Sequence, residues 1–286
     1  MWSGKSTISN RAAAVWQSRA LRSLINKVAE SVPGLRALRR FEYERRFSRE
    51  TKKARFFSGV YDSFQAALEA MPKGARVGYD HPELADRHVS EIGQIWTSDY
   101  PVLFWLKSLL AENSSLFDLG GNVGLQFYGF QKYLNYPRGL AWTVCDVPSA
   151  IELGIQIAKD RKAQGLSFTS NVEDASGVDI LLVLGAFHFL EPPLWEALSK
   201  LASKPRHLLI NRTPFCEGRS FATLQNMGPA ICVYQIWNKD ECMRRLEDAG
   251  YALVDSWEVP EFSCYIPFHA DKSVRAYSGM YFRLTR

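Results

Sequence analysis

Leu116-Phe117-Asp118-Leu119-Gly120-Gly121-Asn122-Val123-Gly124 decides how this chain is read. A short apolar run ends in an acidic residue, and three glycines and an asparagine follow at once. Leu125 to Leu134 then has the spacing of a helix. Strand, tight glycine loop and helix together let a ligand approach the backbone closely. A carboxylate at the strand end would repel phosphates and suits a ligand with a cationic or hydroxyl-bearing group. The dinucleotide fingerprint G-x-G-x-x-G fails in both registers. From Gly120 it needs glycine where Asn122 and Leu125 stand, and from Gly121 where Val123 and Gln126 stand. The spacing present is Asp-x-Gly-x-Asn-x-Gly, Asp118 to Gly124. Asparagine tolerates left-handed backbone better than other non-glycine residues, so the loop is expected to keep its turn at Asn122.

Downstream, Leu140 to Cys145 reads as a strand ending in Asp146, and Val147-Pro148 starts a helix. An acid at the end of the second strand of a βαβ nucleoside site accepts hydrogen bonds from ribose hydroxyls. Asp146 lies 22 residues after Gly124. Leu166–Thr169 predicts a third strand. Val178 to Gly185 is a continuous apolar run that suits a central strand covered on both faces. It exits through Ala186-Phe187-His188, and strand C-termini are where such sheets place ligands. His188 is therefore a candidate general base. Arg206 to Pro214 predicts a fifth strand, with Asn211 and Arg212 turned to the same crevice and Arg212 able to hold an anionic group. Thr223–Gly228 and Tyr234–Trp237 are expected in an insertion on the substrate side. Asn238-Lys239-Asp240-Glu241 is a capping box for a helix to Ala249, and residues 251–257 and 277–284 read as the last strands. S-adenosylmethionine, with an amino-acid moiety on one side and a ribose on the other, has the chemistry that Asp118 and Asp146 would take.

The rest of the chain is less specific. The 286 residues are 47% hydrophobic, ordinary for a globular protein. Five cysteines without C-x-x-C spacing argue for a reducing compartment and against a zinc site or disulfide frame. No membrane span or secretory signal is read, and a cytoplasmic location is expected. Net charge is +5, but residues 1–55 hold 14 Lys/Arg against 4 Glu, so the basic character belongs to an N-terminal arm. Helices are expected over Arg11–Ala29 and from Leu35 to Phe56. Such an arm suits an anionic membrane surface at the inner membrane, or an anionic carrier. No recognised nucleic-acid module surrounds the charge. A helix capped by Asp62 is expected to run to about Ala70, residues 72–92 are expected to be irregular, and His81 and His88 default to surface or substrate-pocket histidines. Asp99 is expected to cap a helix with Pro101 in its first turn.

Residues 97–286 resemble class I S-adenosylmethionine-dependent methyltransferases. The carrying segments are Phe117–Gly124, Val144–Pro148, Leu181–Leu190 and Gly250–Trp257, with Asn122 replacing the middle glycine of the family's loop. Gly59-Val60-Tyr61, Asp99–Val102, Cys145–Pro148 and Tyr277-Ser278-Gly279 further resemble a methyltransferase family encoded among bacterial surface-polysaccharide genes. The resemblance implies a Rossmann-like α/β sheet, mostly parallel with a final antiparallel strand and helices on both faces. It implies S-adenosylmethionine bound by Asp118, Gly120, Gly121, Asn122, Gly124, Asp146 and Gly185, with Asn171 and Glu173 at the adenine. The acceptor implied is a sugar or glycan-related small molecule. Tyr100, Tyr128 and His188 are the expected catalytic groups, Arg212 and Tyr277 the expected substrate contacts, and no metal is expected. The expected division is a basic arm over 1–56, a helical lid or substrate-side segment over 57–114 and the cofactor-binding domain over 115–286. A homo-oligomer is compatible with this reading. The alternative is a catalytically inactive protein of the same fold that acts through its arm.

Overall fold

The computed structural model describes residues 33–48 and 56–285. The helix expected over Arg11–Ala29 lies outside them. The chain divides into two compact units, Met1–Arg49 and Glu50–Arg286. In the first, helix α1 spans Pro33–Phe47. Proline suits its first turn, and Arg45 and Arg46 in its last turn complement the negative end of the helix dipole. Arg40 and Glu44 pair at 2.8 Å one turn apart on its exposed side. The helix ends at Phe47, well short of the expected Phe56, where a strand begins instead.

The second unit is built on a seven-stranded sheet. Its strands are β2 (Ser115–Leu119), β3 (Ala141–Cys145), β4 (Leu166–Thr169), β5 (Ile180–Leu184), β6 (His207–Thr213), β10 (Tyr251–Val259) and β11 (Tyr277–Leu284). Their order is β10-β11-β6-β5-β2-β3-β4. The five strands β4, β3, β2, β5 and β6 are mutually parallel. β11 is antiparallel to both β6 and β10, so β10 again runs with the parallel set. This is the mostly parallel, Rossmann-like sheet expected from the sequence, with the last strand inserted antiparallel beside the fifth.

Alternation along the central strands creates two cores. Phe117, Leu119, Leu181, Val183, Leu208 and Ile210 face helices α7 (Leu194–Lys200) and α8 (Lys239–Asp248). Leu116, Ile180, Leu182 and Leu209 face α4 (Tyr100–Leu109) and α5 (Leu125–Phe130), while α6 (Pro148–Asp160) packs beside β4. Every residue of β5 is buried, as its uninterrupted apolar run requires of a strand covered on both sides. Asn238 caps α8 by accepting from Glu241 N at 2.8 Å, but Glu241's carboxylate turns to Ser220 at 2.6 Å, so only half of the expected box forms.

A second sheet stands apart from the first, with order β1-β8-β9-β7. β7 (Phe215–Cys216), β8 (Phe221–Asn226) and β9 (Ile231–Asn238) are the expected insertion. The fourth member, β1 (Phe56–Tyr61), comes from before the main sheet and pairs antiparallel with β8. Three local expectations between β1 and the main sheet are corrected. Helix α2 (Phe64–Glu69) is capped by Ser63, whose Oγ accepts from Ala66 N at 3.1 Å, and not by Asp62. The segment expected to be irregular contains α3 (Pro82–Val89), for which Pro82 supplies the preset first turn. Asp99 precedes α4 without capping it, because its carboxylate is engaged by Arg212 and by Trp96 N.

Candidate active site

The strand order reverses between β2 and β5: β3 and β4 lie to one side, β6 to the other. A crevice outside the C-terminal ends of two such strands is where open α/β sheets bind ligands. A cavity of about 690 Å³ occupies that position, within the size range of small-molecule sites.

The glycine loop forms its floor. Gly120 has φ 79° and donates to Cys145 O at 2.8 Å. A Cβ there would lie 2.2 Å from that of Ala186, so only glycine lets the loop pass this close to the exit of β5. Asn122 takes the left-handed conformation, φ 53°, where the loop pattern of the resembling family has glycine. Its side-chain Oδ1 accepts from Val123 N at 2.9 Å, the local bond that makes asparagine tolerable in such a turn. Gly124, φ 89°, then leads into α5.

Asp146 ties this loop to the next strand. Its Oδ2 accepts from Asn122 N and its Oδ1 from Val147 N, each at 2.7 Å. Burial pushes its pKa up, and these two backbone donors oppose the shift. One bond on each oxygen leaves lone pairs for hydroxyl groups of a ligand.

Asp118 is arranged differently. It shares a strand face with Leu116, is fully buried, and does not line the cavity. A Cβ on Gly121 would lie 2.5 Å from its Oδ2, so the carboxylate sits directly beneath the loop. Burial raises its pKa to about 7, opposed chiefly by the Trp142 indole. That indole falls short of hydrogen-bond geometry: Trp142 Nε1 and both Asp118 oxygens have no partner. The residue expected to meet the ligand's cation directly is thus separated from the cavity by the loop. Among the cavity-lining groups, Gln126 Oε1 on α5 is a buried, unpartnered acceptor.

The opposite wall carries Gly185, His188, Arg212, Gln225, Tyr234 and Tyr277. Arg212 donates through Nη1 to Asp99 at 2.5 Å and through Nη2 to Leu184 O at 2.8 Å, so its charge is already matched. Tyr234 and Tyr277 share a hydrogen bond at 2.7 Å. His188 lies 4.1 Å, ring to ring, from Tyr234, and its Nδ1 is buried without a partner. Gln225 Oε1 is buried and unpartnered as well.

Burial, then the Arg212 charge, push His188 from its ordinary value of 6.5 down to about 3. Between these values the unfolded chain binds a proton that the native state does not. Stability from this group is therefore complete above about 6.5 and is lost as pH falls toward 3. From pH 6.5 to 5 the loss is about 2 kcal/mol at about 1.4 kcal/mol per pH unit. His188→Phe should flatten that limb of the thermal-stability profile. Parallel profiles for wild type and variant between pH 5 and 7.5 would contradict it.

Of the residues expected from sequence, Gly120, Asn122, Asp146, Gly185, His188, Arg212 and Tyr277 line the cavity. Gly121 and Gly124 shape the loop without reaching its wall. Tyr100 is 52% exposed and faces Tyr133, so it stands outside the site. The Tyr128 ring is buried beside the loop, with the Arg161 guanidinium 5.1 Å from its centre, and does not line the cavity. Asn171 and Glu173 are exposed: Asn171 caps a 3₁₀ turn by accepting from Glu173 N at 3.1 Å, and Ser170 and Val172 line the wall in their place. Asn211 is buried behind the wall, bonded to Ser98 O and Trp257 Nε1. Gln225 and Tyr234, from the insertion expected on the substrate side, also line the cavity; Tyr79, Glu91, Trp96 and Gln126 line it and were not expected there. No motif marks them in the sequence.

No family model matches the chain, and no curated protein matches it. Solved structures do. The 1,6-didemethyltoxoflavin-N1-methyltransferase of Burkholderia thailandensis is 19% identical, with 76% of this chain and 95% of that one covered and a TM-score of 0.46. An amino pentose methyltransferase from Micromonospora echinaspora is 13% identical over 70% of this chain and 96% of its own, TM-score 0.44. A SAM dependent methyltransferase from Aquifex aeolicus is 16% identical over 72% and 99%, TM-score 0.45. The fold assignment itself rests on the strand order.

Proposed function

We propose that this chain is an S-adenosylmethionine-dependent methyltransferase whose acceptor is a hydroxyl-bearing small molecule of the sugar or glycan-intermediate class. The observation that carries the reading is Asp146, with one backbone donor on each oxygen, beside a left-handed glycine loop at the reversal point of the sheet. The residues fit the cofactor. Asp146 has lone pairs for ribose hydroxyls, Ser170 and Val172 flank the place for adenine, and Gln126 Oε1 can accept from the ammonium. When bound, the cofactor supplies an electrophilic methyl group on a sulfonium.

The protein's share of the chemistry is placement. Holding acceptor oxygen and methyl in line and close accounts for most of the acceleration such a site can give. Trp96, Phe262, Tyr234 and Tyr277 supply an aromatic lining for the acceptor. Gln225 Oε1 and His188 Nδ1 are unpartnered groups that can orient its hydroxyls. With a pKa near 3, His188 is a poor general base at neutral pH, so orientation is the role that fits it. Arg212, neutralised by Asp99, leaves a wall better suited to a neutral acceptor than to an anionic one.

Calorimetric titration of the full chain with S-adenosylmethionine and S-adenosylhomocysteine tests the reading. Saturable one-to-one binding of both is expected. A folded protein that binds neither would leave the inactive-scaffold alternative in place.

A further inference from the structure

Three residues on one short segment form a hydrogen-bonded chain on the cavity wall. The Tyr79 hydroxyl lies 2.6 Å from His88 Nε2, and His88 Nδ1 lies 2.8 Å from a Glu91 carboxylate oxygen. All three line the cavity. A carboxylate accepts only, so in the neutral imidazole Nδ1 carries the proton and Nε2 offers its lone pair. The tyrosine hydroxyl must then donate to Nε2, which leaves its oxygen with lone pairs alone for a ligand.

Their place is the Asp146 end of the cavity. Asp80, next in sequence to Tyr79, accepts from Ser149 N at 2.9 Å in the first turn of α6, three residues beyond Asp146. The segment stays on that helix, since α3 packs against α6. Electrostatics agree on the proximity: after burial, the Asp146 charge is the strongest influence raising the Tyr79 phenol. Two acceptors, a carboxylate and a tyrosine oxygen locked as an acceptor, therefore share one end of the cavity.

A vicinal diol has two donors to give. We infer that Tyr79 is a second ribose-binding residue, accepting from the hydroxyl that Asp146 does not take, with His88 and Glu91 as positioning residues that hold it as an acceptor. The inference rests on the methyltransferase reading. It makes the segment before the main sheet part of the cofactor site and gives that site a preference for an intact 2′,3′-diol.

The experiment compares S-adenosylhomocysteine with its 2′-deoxy and 3′-deoxy analogues by calorimetry on wild type, Tyr79→Phe and His88→Phe. Tyr79→Phe keeps the ring on Phe189, 5.8 Å away, and removes only the oxygen. A three- to tenfold rise in Kd for S-adenosylhomocysteine is expected, about the worth of one neutral hydrogen bond. For the analogue lacking the hydroxyl that Tyr79 meets, wild type and variant should converge. His88→Phe leaves the tyrosine oxygen in place but frees its proton, so a smaller loss is expected, again confined to ligands that carry that hydroxyl. Equal losses for all three ligands would mean a structural role only, and unchanged affinity would mean no contact. Either result overturns the inference while leaving the methyltransferase reading intact. Failure of wild type to bind S-adenosylhomocysteine would overturn both.

Discussion

Asp146→Ala is expected to weaken S-adenosylhomocysteine binding by about a hundredfold or more. A hydrogen bond to a charged group contributes about 1.5–3 kcal/mol, and about 2.7 kcal/mol already corresponds to a hundredfold. The substitution removes the acceptor for the ribose. It also releases Asn122 N, whose 2.7 Å bond to Oδ2 pins a non-glycine residue at φ 53°. Freed of that anchor, the loop has less reason to keep an unfavourable backbone conformation, so the floor of the site loosens as well. Asp146→Asn retains one acceptor oxygen and should fall between the two. Calorimetry at neutral pH, with a thermal melt to verify folding, decides it. An unchanged Kd in a folded alanine variant would remove Asp146 from the cofactor site.

Arg212→Met is expected to cost about 3–5 kcal/mol of stability, the usual consequence of removing one partner from a buried ion pair. The side chains of Arg212 and Asp99 are 10% and 4% exposed. Without the guanidinium, Asp99 keeps only Trp96 N, at 2.9 Å, and Leu184 O loses its side-chain donor. For a unit of this size the melting temperature should drop by roughly 6–20 °C. The double variant Arg212→Met/Asp99→Asn removes the stranded charge and should recover a substantial part of the loss. A double variant no more stable than the single one would show that the pair is not the origin of the effect.

The main sheet was legible because its information is local. Ile180–Leu184 is apolar at every position, and Asp118 to Gly124 carries its turn in its own residues. The succession of five βα units and a closing strand pair was read from the same local patterns. The wall opposite the loop was not legible in the same way. Asp99 read as a helix cap from its neighbours Tyr100 and Pro101, yet its carboxylate is taken by Arg212, 113 residues away. Tyr100 and Tyr128 have the chemistry of site residues, but helix geometry turned Tyr100 outward and buried Tyr128 beside the loop. The Asn171 pattern announced a polar group near a ligand, and its oxygen caps its own turn instead. Tyr79, His88 and Glu91 are spaced by a loop and a helix turn, which no sequence periodicity joins.

The second sheet has a consequence for how the molecule must be made. β8 lies between β1 and β9, and all six of its residues are buried. β1 is separated from β8 by the whole run of the first five parallel strands, so one side of the acceptor wall closes only after a long loop of chain has been brought home. Until then β8 presents an unpaired edge, the kind of surface on which chains associate with one another. The residues from Phe56 to Tyr61 cover that edge in the folded chain. Shortening the chain past them is expected to leave that edge open and to raise its tendency to associate, which size-exclusion chromatography would read.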